Sequence, residues 1–270
     1  MKRIKVFLKY ILGFLLTSSI FLSLIACLVN FTVLQKNYVY KAMDNNNYYE
    51  LVYNTINENL EAGNMSSGFD DEILKDLFTK DKVKEDINNT INSIYNNESI
   101  SIDVDSIKNK LNDNINNYIK NNKIKVYDEV SLNEHIDVLI KIYTDEIGYY
   151  SMFNNYIGKF NKLSHIVKSG LIVLIIMDIV LFITIRFILK EKLLGSCIIA
   201  SGLFMLFIYY HTIVNIDFNT MTLVSMNFTI ILRYMVNNIL NIYKIMMVSS
   251  IIIGLILAIF TKANILKKKC

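Results

Sequence analysis

The feature that most constrains this chain is a run of 25 residues, Tyr10 to Leu34, without one charged side chain. A helix needs about 20 predominantly apolar residues to cross the hydrocarbon core of a bilayer, so this run is long enough to span one. Three more apolar runs follow far downstream. Ser169 to Leu189 is interrupted only by Asp178 and Arg186, Leu193 to Tyr210 carries no charge, and a last run follows Lys244 and reaches Phe260. With 53% hydrophobic residues and a mean hydropathy of +0.36, the chain is too apolar for an ordinary soluble domain.

These runs predict an all-α integral membrane protein with four transmembrane helices and an extracytoplasmic helical bundle inserted between helices 1 and 2. The expected divisions are a basic N-terminus at 1–9, spans at 10–34, 169–189, 193–210 and 245–261, a polar helical domain at 35–166, a connecting segment at 211–243 and a basic tail at 262–270.

Flanking charge orients the spans. Lys2, Arg3, Lys5 and Lys9 precede the first, Arg186, Lys190 and Lys192 lie at the turn between the second and third, and Lys262, Lys267, Lys268 and Lys269 follow the fourth. These eleven basic residues are opposed only by Glu191, whereas the segment 35–166 holds 14 Lys against 21 Asp and Glu. The excess of Lys and Arg on cytoplasmic segments then puts both termini and the 2–3 turn inside, and the acidic domain outside. Ile, Asn, Lys and Tyr abound while Pro and Trp are missing, a bias expected of an AT-rich bacterial genome.

The first span is longer than the 7–15-residue apolar core of a signal peptide and is expected to stay as an anchor. Within it, Leu24-Ile25-Ala26-Cys27 resembles the lipobox of bacterial lipoproteins, which makes Cys27 a candidate lipidation site. The residues after Cys27 stay apolar, where a lipoprotein has a polar tether, so the competing reading is a cysteine inside a transmembrane helix.

The polar domain reads as helical throughout. Val52, Ile56 and Leu60 recur every four residues, as do Val83, Ile87 and Ile91, and Ile107, Leu111, Ile115 and Ile119. Thr79 and Asp105 are expected N-caps, and Ser131-Leu132-Asn133-Glu134 has the form of a capping box. One long helix is expected from that box towards the second span, and the first span is expected to continue outward through Tyr38, Tyr40 and Tyr48. Such stripes make the core of a small bundle. In the 211–243 segment, Val224, Phe228, Ile231, Met235, Ile239 and Ile242 fall on one helical face and Arg233, Asn237 and Asn241 on another, which suits an interfacial amphipathic helix.

Few residues carry chemistry. Asp178 sits inside the second apolar run, where a carboxylate is costly and is by default functional. Its expected partners at similar depth are Ser23, Ser201, Ser249 and Ser250. It reads either as a protonated group bonded inside the bundle or as part of an ion or proton pathway or an intramembrane enzyme. Ser250, Gly254 and Ala258 form a small-residue row on the fourth span, and Ser196 and Ala200 a shorter one on the third. Such rows let backbones approach closely, either within one chain or between copies in a homo-oligomer. His135, His165 and His211 have no metal-ligand spacing, and no nucleotide-binding or hydrolase motif occurs. No catalytic, cofactor-binding or metal site is therefore expected.

The leading expectation is a non-catalytic membrane protein that uses its acidic outer domain for partner binding or envelope sensing. Its partners would be the lipid bilayer and another membrane or extracytoplasmic protein, not nucleic acid. The span order, with a large domain between spans 1 and 2, is similar to that of the membrane subunits of the cell-division ABC permease family. That resemblance covers topology only, and it implies a transport or mechanotransmission subunit.

Overall fold

The computed structural model describes residues 2–65, 67–124, 129–147, 154–215 and 226–266, and every regular element among them is helical. In chain order these are α1 (Lys2–Phe31), α2 (Lys36–Asn45), α3 (Tyr48–Asn64), a 3-10 turn (Asp71–Leu74), α4 (Lys80–Asn96), α5 (Asp105–Asn122), α6 (Glu129–Ile147), α7 (Asn154–Ile183) running into a π-helical turn (Thr184–Ile188), α8 (Leu194–Asn215) and α9 (Met226–Leu266). Contacts divide the chain into two compact units. The span unit comprises Met1–Tyr38, Lys162–Thr222 and Leu232–Cys270, and the polar unit Val39–Asn161 and Leu223–Ile231.

In the polar unit the four-residue stripes are the core. Val52, Ile56 and Leu60 of α3, Val83, Ile87 and Ile91 of α4, Ile107, Leu111 and Ile115 of α5, and Leu139, Tyr143 and Ile147 of α6 are all buried. α3 packs on α4 and α6, and α5 packs on α6 and the 3-10 turn, whose Ile73 is also buried. Burying each such aliphatic side chain stabilises by roughly 1.5–3 kcal/mol. Polar residues terminate the helices in a chain that has no proline. Thr79 accepts a bond from the Lys82 amide at 3.2 Å and caps α4. Asn97 (φ 64°) ends α4, with Glu98 N–H returning to Ser93 O, and Lys123 (φ 54°) ends α5, with Ile124 N–H returning to Ile119 O. Both use a left-handed residue to satisfy the last carbonyls.

Several expected boundaries move. Asp105 is the first helical residue of α5 rather than its cap, and its amide is held by the Asp103 carboxylate at 3.1 Å. α6 is already helical at Glu129, so Ser131 lies exposed within its first turn and does not begin it. The long helix expected from Ser131 to Ile166 is represented by α6 and α7, and 148–153 lies outside the described residues.

The first span does not run straight outward either. It stops at Phe31, where the Thr32 hydroxyl bonds Leu28 O at 2.6 Å and the Leu34 amide turns back to Val29 O at 3.2 Å. The chain breaks again at Asn47, a left-handed residue with φ 50°.

Among the described residues four helices are long and apolar enough to cross a membrane: Arg3–Phe31, Ile157–Ile188, Leu194–Ile213 and Asn227–Thr261. The last joins the expected interfacial helix of 211–243 to the expected span at 245–261, with 216–225 outside the described residues. From Met226 onward both are one 41-residue helix, about 62 Å long at 1.5 Å per residue. Within it Asn237 and Asn241 are exposed, Arg233 is half-buried, and Ile239 and Ile242 pack against a core of Leu28, Met205, Tyr243 and Met247, while Val224 lies outside the described residues. Nothing between residues 226 and 266 breaks the backbone pattern, because amphipathicity changes which face is wet without requiring a turn.

Within the span unit α8 lies against α1, and Gly195, Gly202 and Gly254 bring α8 against α9. Ser201 donates to Thr17 O at 2.9 Å, and Tyr243 donates to Met205 O at 2.9 Å. The outward faces are apolar as well: Ile172, Val173, Ile176, Phe207, Ile253 and Phe260 are all exposed.

Candidate functional site

Asp178 lies on α7, half-buried among apolar neighbours. Of its four expected partners the structure joins it to one. Ser23 Oγ of α1 donates to Asp178 Oδ2 at 2.8 Å. The second carboxylate oxygen, Oδ1, is buried and makes no hydrogen bond among the described residues. Ser19, one helical turn before Ser23 on the same face of α1, is also buried with its hydroxyl unpaired. Ser201 and Ser250 do not reach Asp178. Their hydroxyls bond backbone carbonyls instead, Ser201 to Thr17 O and Cys197 O and Ser250 to Met246 O, and Ser249 is half-buried one residue before Ser250. A serine in an apolar helix finds its nearest acceptor one turn back on its own backbone, which is why depth in the sequence did not select the partner.

The small-residue row of α9 is part of the helix contact. A methyl group added at Gly254 would stand 2.8 Å from Ile199 N and 2.9 Å from Gly195 O, and one added at Gly195 would stand 2.8 Å from both Ala258 N and Gly254 O. Ser250 is buried on the same face. On α8 the contact is made by Gly195 and Gly202, not by Ser196 and Ala200, which are exposed. Cys27 lies half-buried inside α1, and Cys197 is buried with its thiol 3.6 Å from Gly13 O.

In the polar unit, α5 presents a second, polar face beside its Ile107–Leu111–Ile115 stripe. Lys110, Asn114, Asn117, Tyr118 and Asn121 recur there at three- and four-residue steps, and with Glu72, Lys75 and Asp76 they border a polar groove of about 490 Å³. Asn114 builds one wall, since its side-chain amide donates to Ile73 O at 2.9 Å and Lys75 O at 3.0 Å and so pins the 3-10 turn to α5. Asp76 follows in a left-handed conformation (φ 54°), and Tyr118 packs edge-on against Phe69 at 5.8 Å. Two acids, two lysines, several amides and one phenol make the groove a hydrogen-bonding surface with near-balanced charge. This groove was not foreseen. Its trace in the sequence is the asparagine face of α5, which compositional bias hides.

Two polar networks lie nearby. Tyr143 donates to Asp86 Oδ2 at 2.7 Å and Lys82 holds Asp86 Oδ1 at 2.8 Å, so the buried carboxylate is satisfied on both sides. Burial, and then the bond to Asp86, push the Tyr143 phenol well above its ordinary range, and the same carboxylate raises Lys82. His135 stacks on Phe69 and lies 3.2 Å from Asn64 Oδ1, and burial lowers its pKa. Among the described residues no three His, Cys, Asp or Glu side chains gather as a metal site.

The geometry thus defines an all-helical chain with four helices suited to a membrane and a polar helical unit bearing a groove. No protein-family model matches this chain, and neither a curated protein nor a solved structure shows detectable similarity to it.

Proposed function

We propose that this chain is a bacterial multi-pass membrane protein, non-catalytic, with both termini in the cytoplasm and the acidic polar unit outside, where its groove binds another membrane or envelope protein. The groove bordered by Asp76, Lys110, Asn114 and Asn121 carries this reading, because its paired charges and amides offer directional bonds to a polar partner surface and hold no nucleophile beside a base. The exposed Ile and Phe side chains around the span unit support insertion, since soluble proteins rarely expose contiguous apolar surface of that extent. The ion pair of Lys9 with Glu191 at 3.0 Å supports the orientation, as it keeps the basic N-terminal segment and the 2–3 turn at one end.

The test places one cysteine in a background without native cysteines, at exposed Glu98 or exposed Lys5, and treats intact cells with a membrane-impermeant maleimide. Labelling at Glu98→Cys and not at Lys5→Cys is expected, and the reverse pattern overturns the orientation. A photo-crosslinker at Asn121 should then give a discrete adduct that the charge reversals Asp76→Lys and Lys110→Glu abolish. An adduct insensitive to both reversals rejects the groove.

A second reading, an ion or proton pathway, is favoured by the buried and unpaired Asp178 Oδ1. It requires that Asp178→Asn abolish ion or proton flux in proteoliposomes at unchanged protein yield.

A further inference from the structure

At the Lys9–Glu191 end of the span unit the second span does not end as an ordinary helix. Its last turn is π-helical over Thr184–Ile188, with Leu189 N–H reaching Thr184 O at 3.1 Å and Glu191 N–H reaching Ile185 O at 3.0 Å. The wider turn keeps Ile185 buried against Leu16 and Cys197 while the next side chain, Arg186, is exposed. Lys190, a non-glycine residue at φ 56°, then reverses the chain towards α8. Lys190 closes the helix as Asn97 and Lys123 close theirs, whereas π turns are rare and are found frequently at functional sites.

Between this turn, α1, α8 and α9 lies a crevice of about 170 Å³. Leu16, Phe182 and Leu257 form apolar walls, and Arg186, Glu191 and Lys192 form the rim. Glu191 is already paired with Lys9, while Arg186 and Lys192 make no ion pair among the described residues. The crevice therefore joins an apolar interior to two uncompensated cations. It is too small for a helix of another protein, and a free anion would leave its apolar walls unused.

We propose that this crevice binds one anionic phospholipid, with its phosphate between Arg186 and Lys192 and its first methylenes along Leu16, Phe182 and Leu257. Arg forks onto phosphate oxygens, Lys adds a point charge, and basic pockets between spans hold anionic headgroups in this way. The proposal rests on the membrane reading given above, and alkaline carbonate extraction of membranes separates the two. Release of the protein overturns both, whereas retention leaves the lipid site to the next measurement.

That measurement is native mass spectrometry of the full chain in nonionic detergent, titrated with phosphatidylglycerol or phosphatidylcholine. Phosphatidylglycerol should be retained preferentially. Arg186→Gln with Lys192→Gln should weaken it about 25-fold, roughly fivefold per cation removed, and leave phosphatidylcholine unchanged. Arg3→Gln with Lys5→Gln removes two exposed cations outside the crevice and should change retention by less than about twofold. Three results each overturn the site: no preference between the lipids, equal losses in the two double variants, or displacement of the lipid by millimolar inorganic phosphate.

Discussion

The two units are built from the same aliphatic residues and solve opposite problems. In the polar unit each helix hides one stripe and wets the rest, so Leu111 is buried while Asn116 and Asn117 on the same helix are exposed. In the span unit the span-length stretches show apolar side chains on their exposed faces as well. Ile253 and Phe260 of α9 face outward, and what lies inside the contact is Gly254, the smallest residue available. Water drives the first kind of packing by penalising apolar exposure. On the membrane reading proposed above, lipid exerts no such force between helices, and backbone approach and shape fit take its place. Aliphatic side chains are thus the core of one unit and the coat of the other.

The largest effect is expected where backbones touch. Gly254→Leu should destabilise the span unit by more than about 3 kcal/mol, because backbone atoms of α8 stand where the side chain must go. Thermal unfolding of the full chain in detergent checks this. Gly170→Ala is its counterpart, since nothing lies within 4 Å of the added methyl, and it should be neutral or stabilising by up to about 1 kcal/mol. Equal effects of the two substitutions would break the account of the span contact.

Next in size is Leu111→Ala, which opens a cavity in the polar unit and should cost about 2–5 kcal/mol in thermal or denaturant unfolding. A cost near zero would mean that the stripe is not the core. Tyr143→Phe should cost about 1–3 kcal/mol by leaving the buried Asp86 Oδ2 without its donor. The further change Asp86→Asn, with Lys82 losing its partner, should not restore that loss.

The smallest effect is pH-dependent. Burial holds the folded-state pKa of His135 below its ordinary value near 6.5, so the unfolded chain binds the proton more readily. The stabilisation from neutral His135 is complete above that value and is lost as pH falls through the folded-state pKa. The Tm of the polar transition should drop over that window, and His135→Gln should flatten the drop. Glu146, raised first by burial and then by Asp145, has the opposite sign, and its window begins lower, near the ordinary carboxylate range.

Much of the local structure was legible. The four apolar helices and the buried stripes at Val52–Leu60, Val83–Ile91 and Ile107–Ile115 follow from spacing, because a helical face repeats at a fixed interval whatever it meets. The cap at Thr79 was legible for the same reason, its hydroxyl acting within three residues. Ser131 shows the limit: a capping signature describes a favourable start, and the chain is already helical at Glu129. In the candidate sites, spacing proposed Ser196 and Ala200 as a small-residue row but carried no information about which direction that row faces.

Sequence by itself therefore determined the helical class, the four span-length segments, the stripes of the polar core and the asymmetry of charge, all of which are properties of a residue and its near neighbours. Only tertiary structure decided that Asp178 meets Ser23 and not Ser201, that Gly195 and not Ser196 lies against Gly254, and that the asparagine face of α5 closes a groove with the 3-10 turn. Each of these depends on the rotation and offset of one helix against another. Such parameters are set by how whole surfaces interlock, and no single helix carries them in its own sequence.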